Sequence, residues 1–286
     1  MSEQPWYRSS LACPDCQLPL ASELAGTSCA CGFTLPQGTP PDLRPQNPRD
    51  RDVRVHIGTR AFDDLARVDI TRPKPTYSGA RAMRDSSELF SAAEPHLTAT
   101  TKLLDLGCGP RDQAVAVAHY GASYVGVDYS SPDADLRADA HVLPFADASF
   151  DAVLSYAVFE HLYDPAHAAR EVRRVLKSGG IFFGAVSQGE PYHESFFHHT
   201  ALGVLSIFAI AGFEPLRLWP SYDTLHSLAE MGRYPRAQRM LIEATYRFGR
   251  AFPFLAPRKF FRGTEREKAL DELHRAASIC FVARRR

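Results

Sequence analysis

The chain has no net charge to offer a polyanion: 33 Lys and Arg stand against 33 Asp and Glu. That balance gives no bulk attraction to nucleic acid. Basic residues are scarcest in residues 1–45, where only Arg8 and Arg44 occur, whereas a phosphate grip needs clusters of Lys and Arg. Long apolar runs are also missing. Nothing approaches the roughly 18–20 apolar residues of a membrane span, and the longest candidate, residues 201–213, reads as a core helix. Residues 1–10 are polar and aromatic, without the apolar centre of a secretory leader. The expectation is a soluble cytoplasmic protein. Its 286 residues, 45% hydrophobic and 23% charged, suffice for one large or two smaller domains with a buried core.

Against these absences stands Lys102-Leu-Leu-Asp-Leu-Gly-Cys-Gly-Pro-Arg111. An apolar run of strand length ends in Asp105, two glycines follow at alternating positions, and a helical pattern begins at once. This is the first strand, turn and helix of a nucleotide-binding α/β unit, with Gly107 and Gly109 removing side chains where backbone must approach a ligand. Asp105 can accept from a cationic amine or hold the loop. A second strand, Tyr124-Val-Gly-Val127, ends in Asp128, 23 positions after Asp105, the distance of a strand–helix–strand unit. A carboxylate there suits ribose hydroxyls. Asp139-Ala140 and Leu143-Pro-Phe-Ala-Asp-Ala-Ser-Phe-Asp151 follow, then the strand Ala152-Val-Leu-Ser155, then Val175-Leu-Lys-Ser-Gly-Gly-Ile-Phe-Phe183, read as a helix end, a glycine stop and a strand. Singly, such glycines and acids are equally explained by turns and helix caps; the ordered set is not.

In that order and spacing the motifs resemble the class I S-adenosylmethionine-dependent methyltransferases, in the branch with D-x-G-x-G, a ribose acid, D-A-x-x-L-P-F and L-K-x-G-G. The resemblance covers about residues 75–219 and 279–286. It implies a Rossmann-like, seven-stranded, mostly parallel α/β sheet with helices on both faces and an antiparallel last strand, Ile279-Cys-Phe-Val-Ala283. It also implies that Gly107, Cys108 and Gly109 line the methionine and ribose of the cofactor. Asp128 and the adjacent Tyr129 would lie at the ribose, Asp139 and Ala140 at the adenine, and Ser155 and Tyr156 beside the sulfonium. One position departs: Arg111 stands where the family has a third glycine, so the turn is expected to enter its helix differently, with Asp112 a candidate partner for the methionine amine.

Four of the six cysteines fall in residues 13–31, as Cys13-Pro-Asp-Cys16 and Cys29-Ala-Cys31-Gly. Two close pairs about a dozen residues apart are a zinc-ribbon pattern, and a segment this short needs a metal to fold. Two disulfides or reduced, unrelated thiols are the alternatives, the disulfides disfavoured in a cytosolic setting. The second pair is C-x-C, not the commoner C-x-x-C, and His56 is a further candidate ligand. Residues 1–45 are similar to the small zinc modules that precede some methyltransferase domains, and to a free partner protein of methyltransferases. The module is read as structural and docked on the main domain. Residues 46–76 read as a linker with one short helix or strand, and residues 77–286 as the methyltransferase domain.

Gln188 to Thr200 packs His193, His198, His199, Tyr192 and two carboxylates into thirteen residues at a strand's carboxyl end. With His161 after strand four, His193 and His199 are the candidate general bases; loop polarity and burial, with Thr200 as a helix cap, are the plainer account. Residues 220–278 are too long for a simple connection and read as a helical insertion. Within it, residues 246–262 mix aromatics with five basic residues. They fit a lid, a peripheral membrane contact, an added packing layer or a dimer contact.

After strand four stands Ser-Tyr-Ala-Val-Phe, not the [DNS]-P-P-[YF] of enzymes acting on amino groups of DNA bases or protein amides. The expectation is therefore methylation of oxygen, carbon or ring nitrogen on a small molecule, with S-adenosylmethionine as cofactor and Zn2+ as structural metal. RNA base methylation through the ribbon, and a non-catalytic cofactor-binding subunit, are the alternatives.

Overall fold

A computed structural model describes residues 5–20, 28–36, 41–43, 46, 60–74, 84–189, 194–221, 223–230, 234–251 and 264–286. Its centre is a seven-stranded sheet. The strands are β1 (Lys102–Leu106), β2 (Ser123–Asp128), β3 (Leu136–Arg137), β4 (Phe150–Tyr156), β5 (Leu176–Ser187), β6 (Phe213–Pro220) and β7 (Ser278–Arg285), in the order β3-β2-β1-β4-β5-β7-β6. The first five run parallel; β7 pairs antiparallel with both β5 and β6. The chain reverses between β1 and β4, which opens a crevice beyond their carboxyl ends.

Alternation along the strands fills two cores. Leu104, Leu106, Val125, Val127, Val153 and Phe182 face one side, against α1 (Arg60–Arg67), α4 (Pro165–Val175) and α5 (Ala201–Ala211). Leu103, Ala152, Leu154, Ile181 and Phe183 face the other, with α2 (Arg84–Ala93) and α3 (Ala114–His119). Local chemistry sets the helix ends. Asp164 accepts from the His167 N–H at 2.9 Å ahead of Pro165, and Thr200 accepts from the Gly203 N–H at 3.1 Å. Gly212, at φ 82°, ends α5 in the left-handed region.

Two stretches bear on the reading of the sequence. Residues 177–180 form no glycine stop ahead of a strand. β5 already pairs at Leu176, opposite Phe150, and the register then jumps to Ala152 opposite Ile181, so Lys177 to Gly180 bulge from the ladder. Residues 60–74, within the stretch read as a linker with one short helix or strand, form the helix α1 and an extended segment, and their Ala61, Val68 and Ile70 are buried in the main core. Arg60 donates to the Phe213 carbonyl at 2.8 Å, and Arg217 pairs with Asp69 at 2.8 Å. Helix α2 is described from Arg84, and residues 75–83 lie outside the described residues.

The amino-terminal segment docks on this sheet. Tyr7, Leu11, Phe33, Leu35 and Leu43 share one core with Leu136, Phe145 and Phe150, and Trp6 meets Phe150 edge-on at 5.7 Å. The insertion before β7 is helical, with α6 (Thr224–Glu230), α7 (Arg236–Ala251) and α8 (Glu265–His274), the last opened by a Thr264–Glu267 capping box. Residues 252–263, most of its aromatic and basic stretch, lie outside the described residues. Among the described residues no helix is long and apolar enough to cross a membrane.

Candidate functional site

The turn after β1 supplies the floor of the crevice. Gly107 sits at φ 74°, and a Cβ on it would stand 2.2 Å from Val158 Cγ2. Gly109 sits at φ 50°, and a Cβ there would meet nothing within 4 Å: the backbone at Gly109 borders open space. The N–H groups of Gly107 and Cys108 both donate to the Val127 carbonyl, at 2.8 and 3.0 Å, which ties the turn to β2. Arg111 holds φ 63°. The left-handed conformation is thus kept without the glycine that usually adopts it. An ion pair to Asp135 at 3.1 Å and the Tyr124 ring, 5.2 Å below the guanidinium, fix the side chain. Asp112 is exposed.

A cavity of about 530 Å³ lies over this floor. Gly107, Asp128, Tyr129, Asp139, Ala140 and His161 are brought together on its wall. Asp128 Oδ1 accepts from the N–H groups of Ser130 and Ser131, each at 2.8 Å, and its Oδ2 from Gly109 at 3.1 Å. Asp139 Oδ1 accepts from the backbone N–H of His141 at 2.8 Å and from its ring Nδ1 at 2.6 Å. Burial alone would raise the Asp139 pKa; these two hydrogen bonds outweigh it and hold the carboxyl below its usual value.

Sequence reasoning missed part of this wall. His141 Nδ1 donates to Asp139 while its Nε2 accepts from the Asp164 N–H at 3.3 Å, which assigns one neutral tautomer. Tyr163 stacks on its ring at 4.1 Å, and both line the cavity with Val158, Leu162 and Phe196. The signal was weak: a histidine two residues after the motif acid, and a tyrosine one residue before a cap.

Other expected residues fall outside the lining. Asp105 is buried under the turn and accepts from the Tyr124 hydroxyl at 2.7 Å. Burial pushes its pKa up to about 7; Tyr124 opposes this, and the neighbouring Asp128 adds to it. Cys108 is buried beside it, and burial raises its thiol pKa. Ser155 is buried in the sheet and Tyr156 half-buried. Of the candidate bases, His161 is exposed on the cavity wall, its Nδ1 2.6 Å from the Glu194 carbonyl. His199 is buried away from that wall, and desolvation lowers its pKa. His193 lies outside the described residues.

At the amino terminus the ligand atoms of Cys13, Cys16, Cys29 and Cys31 all lie within 4.8 Å of one another. Two matching knuckles bring them there. The Cys13 N–H donates to the Leu18 carbonyl and the Cys29 N–H to the Phe33 carbonyl, each at 2.8 Å, and Gln17 and Gly32 turn at φ 65° and 96°. The contacts Cys13–Cys31 and Cys16–Cys29 are 3.5 and 3.4 Å. That is too long for a disulfide of about 2.05 Å and close to the sulfur–sulfur edge of about 3.8 Å set by Zn–S bonds of about 2.3 Å in a tetrahedron. The donor set fits a tetrahedral thiophilic cation. His56 lies outside the described residues.

Sheet order, glycine turn and strand-end acids together define a nucleotide-cofactor α/β domain. Residues 104–184 match the family described as "Methyltransferase domain". An uncharacterized methyltransferase of Mycobacterium marinum is 33% identical over 149 residues, covering 46% of this chain and 58% of that protein. A protein of Mycolicibacterium smegmatis named as a probable S-adenosylmethionine-dependent methyltransferase is 35% identical over 98 residues, 30% of this chain and 38% of that one. A crystal structure of a putative methyltransferase from Bacillus halodurans aligns with TM-score 0.47 at 18% identity, covering 70% of this chain and 98% of that chain. Residues 104–184 carry a methyltransferase domain, set in a sheet of the expected Rossmann-like order. The matched stretches span less than two thirds of either mycobacterial relative.

Proposed function

We propose that the chain methylates an oxygen, carbon or ring nitrogen of a small molecule, using S-adenosylmethionine, with zinc held structurally by the four cysteines. The observation that carries this reading is one cavity with two oriented carboxylates on its wall, Asp128 and Asp139, together with an imidazole, His161. When bound, S-adenosylmethionine supplies a methyl group on a sulfonium, already activated for displacement.

The protein's part is then alignment, exclusion of water and removal of a proton. Asp128 is oriented by three backbone N–H groups. A carboxylate accepts at about four positions, so it keeps capacity for a ribose hydroxyl. Asp139, ionised and steered by His141, suits the adenine amino group. Gly109 leaves room for the ligand's approach. His161 donates through Nδ1 to the Glu194 carbonyl, which leaves Nε2 as the nitrogen that would take the acceptor's proton as the methyl arrives. Val158, Leu162 and Phe196 make the adjoining wall apolar, which favours an acceptor with an apolar body. Cys13, Cys16, Cys29 and Cys31 would fill all four positions of a zinc ion, leaving none open for chemistry.

The test pairs calorimetric titration of S-adenosylhomocysteine with transfer of radiolabelled methyl groups into fractionated host extract. We expect binding that Asp128→Ala abolishes, label in a small-molecule pool, and a rate about 100-fold lower in His161→Gln. Label in RNA, or binding without turnover in any pool, overturns the substrate assignment.

A further inference from the structure

The four-cysteine site and the cofactor cavity are joined by a short run of hydrogen bonds. The cavity wall formed by Asp139, Ala140 and His141 lies on residues 138–143, and the amino-terminal module grips this segment at both ends. At its start, the Arg137 N–H donates to the Pro41 carbonyl at 2.8 Å, and the Leu43 N–H donates to the Arg137 carbonyl at 2.6 Å. At its end, the Ala12 N–H donates to the Pro144 carbonyl at 2.8 Å, and the Ala146 N–H to the Ser10 carbonyl at 2.5 Å. Ala12 directly precedes the ligand Cys13.

The first grip is itself tied to the knuckles by Gln46. Its backbone N–H donates to Asp15 Oδ1 at 2.8 Å, inside the first knuckle. Its side-chain amide accepts from the Thr34 N–H at 3.1 Å and donates to the Thr34 carbonyl at 2.6 Å, just beyond the second. Each strut therefore runs from a metal knuckle to one end of the adenine-side wall. β3 has only two residues, and the main domain holds the wall from the other side, through the Ala138 N–H to the Asp128 carbonyl at 3.0 Å and the Leu143 N–H to Glu171 Oε2 at 2.9 Å, so the module's two grips act on the ends of a wall that the sheet and α4 already anchor in the middle.

We propose that the module is a positioning element for the cofactor cavity: zinc in the four-cysteine site holds residues 138–143 in the binding arrangement, so that zinc occupancy and cofactor affinity are thermodynamically linked. This rests on the cofactor and zinc readings above. Linkage is reciprocal. Removing zinc weakens the cofactor, and the cofactor tightens zinc by the same factor.

The experiment uses the full chain, stripped of metal and then reconstituted with zinc chloride, with S-adenosylhomocysteine as the probe. Calorimetry gives its affinity in both forms, and a chromogenic chelator gives zinc release with and without it. The expected results are an affinity about tenfold lower without zinc, zinc release suppressed by the same factor when the probe is bound, and faster hydrogen exchange in residues 137–146 of the stripped form. Gln46→Ala guards against simple unfolding, because Gln46 is exposed and is neither a zinc ligand nor on the cavity wall. It should keep one zinc per chain and lower the probe's affinity by a few-fold, about the lower end of coupling effects. Equal affinity with and without zinc, with binding otherwise intact, overturns the linkage. Unchanged affinity in Gln46→Ala overturns the strut. No probe binding to the zinc-loaded chain removes the cofactor reading instead, and no zinc uptake removes the metal reading; either takes the linkage with it.

Discussion

Asp105 is an acid placed where ionisation is penalised. It is 1% exposed, beneath the glycine turn, with burial the main force raising its pKa to about 7, well above an unfolded carboxyl. Between about pH 4 and pH 7 the folded chain keeps a proton that the unfolded chain has lost. Stability should therefore fall as pH rises through that window, by about 1.4 kcal/mol per unit at most, and level off above it. Urea unfolding at pH 5, 6, 7 and 8 should show this slope in the wild type and its loss in Asp105→Asn. An unchanged slope in the variant would assign the titration to another group.

At the scale of elements, the turn between β1 and α3 shows what a motif encodes. Gly107 answers two constraints at once, φ 74° and a Cβ position 2.2 Å from Val158 Cγ2. Gly107→Ala should destabilise the fold by about 1–3 kcal/mol. Adding Val158→Ala should recover only the share due to the clash, because the backbone strain remains; thermal melts of both variants and their combination separate the two, and full recovery would mean the strain is negligible. Much of this architecture was legible in the sequence, because strands, turns and caps are local. Thr200 marked the start of α5. The glycines and Asp128 marked the crevice. What escaped depended on contacts across the fold. Arg111 keeps a glycine's backbone because Asp135 and Tyr124 wait for its side chain. His141 and Tyr163 meet only when β3 and α4 are in place. β5 begins at Leu176 because Phe150 offers it a ladder partner, which no local glycine signal reveals.

At the scale of the whole molecule, the amino-terminal segment and residues 60–74 are better understood as parts of the sheet's cover than as a separate module and a tether. Leu11, Phe33 and Leu43 are buried in the same core as Leu136, Phe145 and Phe150, and Arg137 on the edge strand has both backbone groups bonded to residues 41–43. Stripping that cover would expose apolar surface worth about 1.5–3 kcal/mol for each large side chain uncovered, and would leave β3 as a bare two-residue edge. A chain beginning at residue 60 should therefore not reach a cooperative native state. It should show secondary structure by far-ultraviolet circular dichroism, weak near-ultraviolet signal, and binding of a hydrophobic dye. The full chain, by contrast, should unfold in one transition that chelation moves to lower temperature, because the knuckles and the sheet share one core. A truncated chain that melts sharply and still binds S-adenosylhomocysteine would show the opposite. The module would then be an accessory, and the grip it holds on residues 137–146 would be dispensable for the cavity.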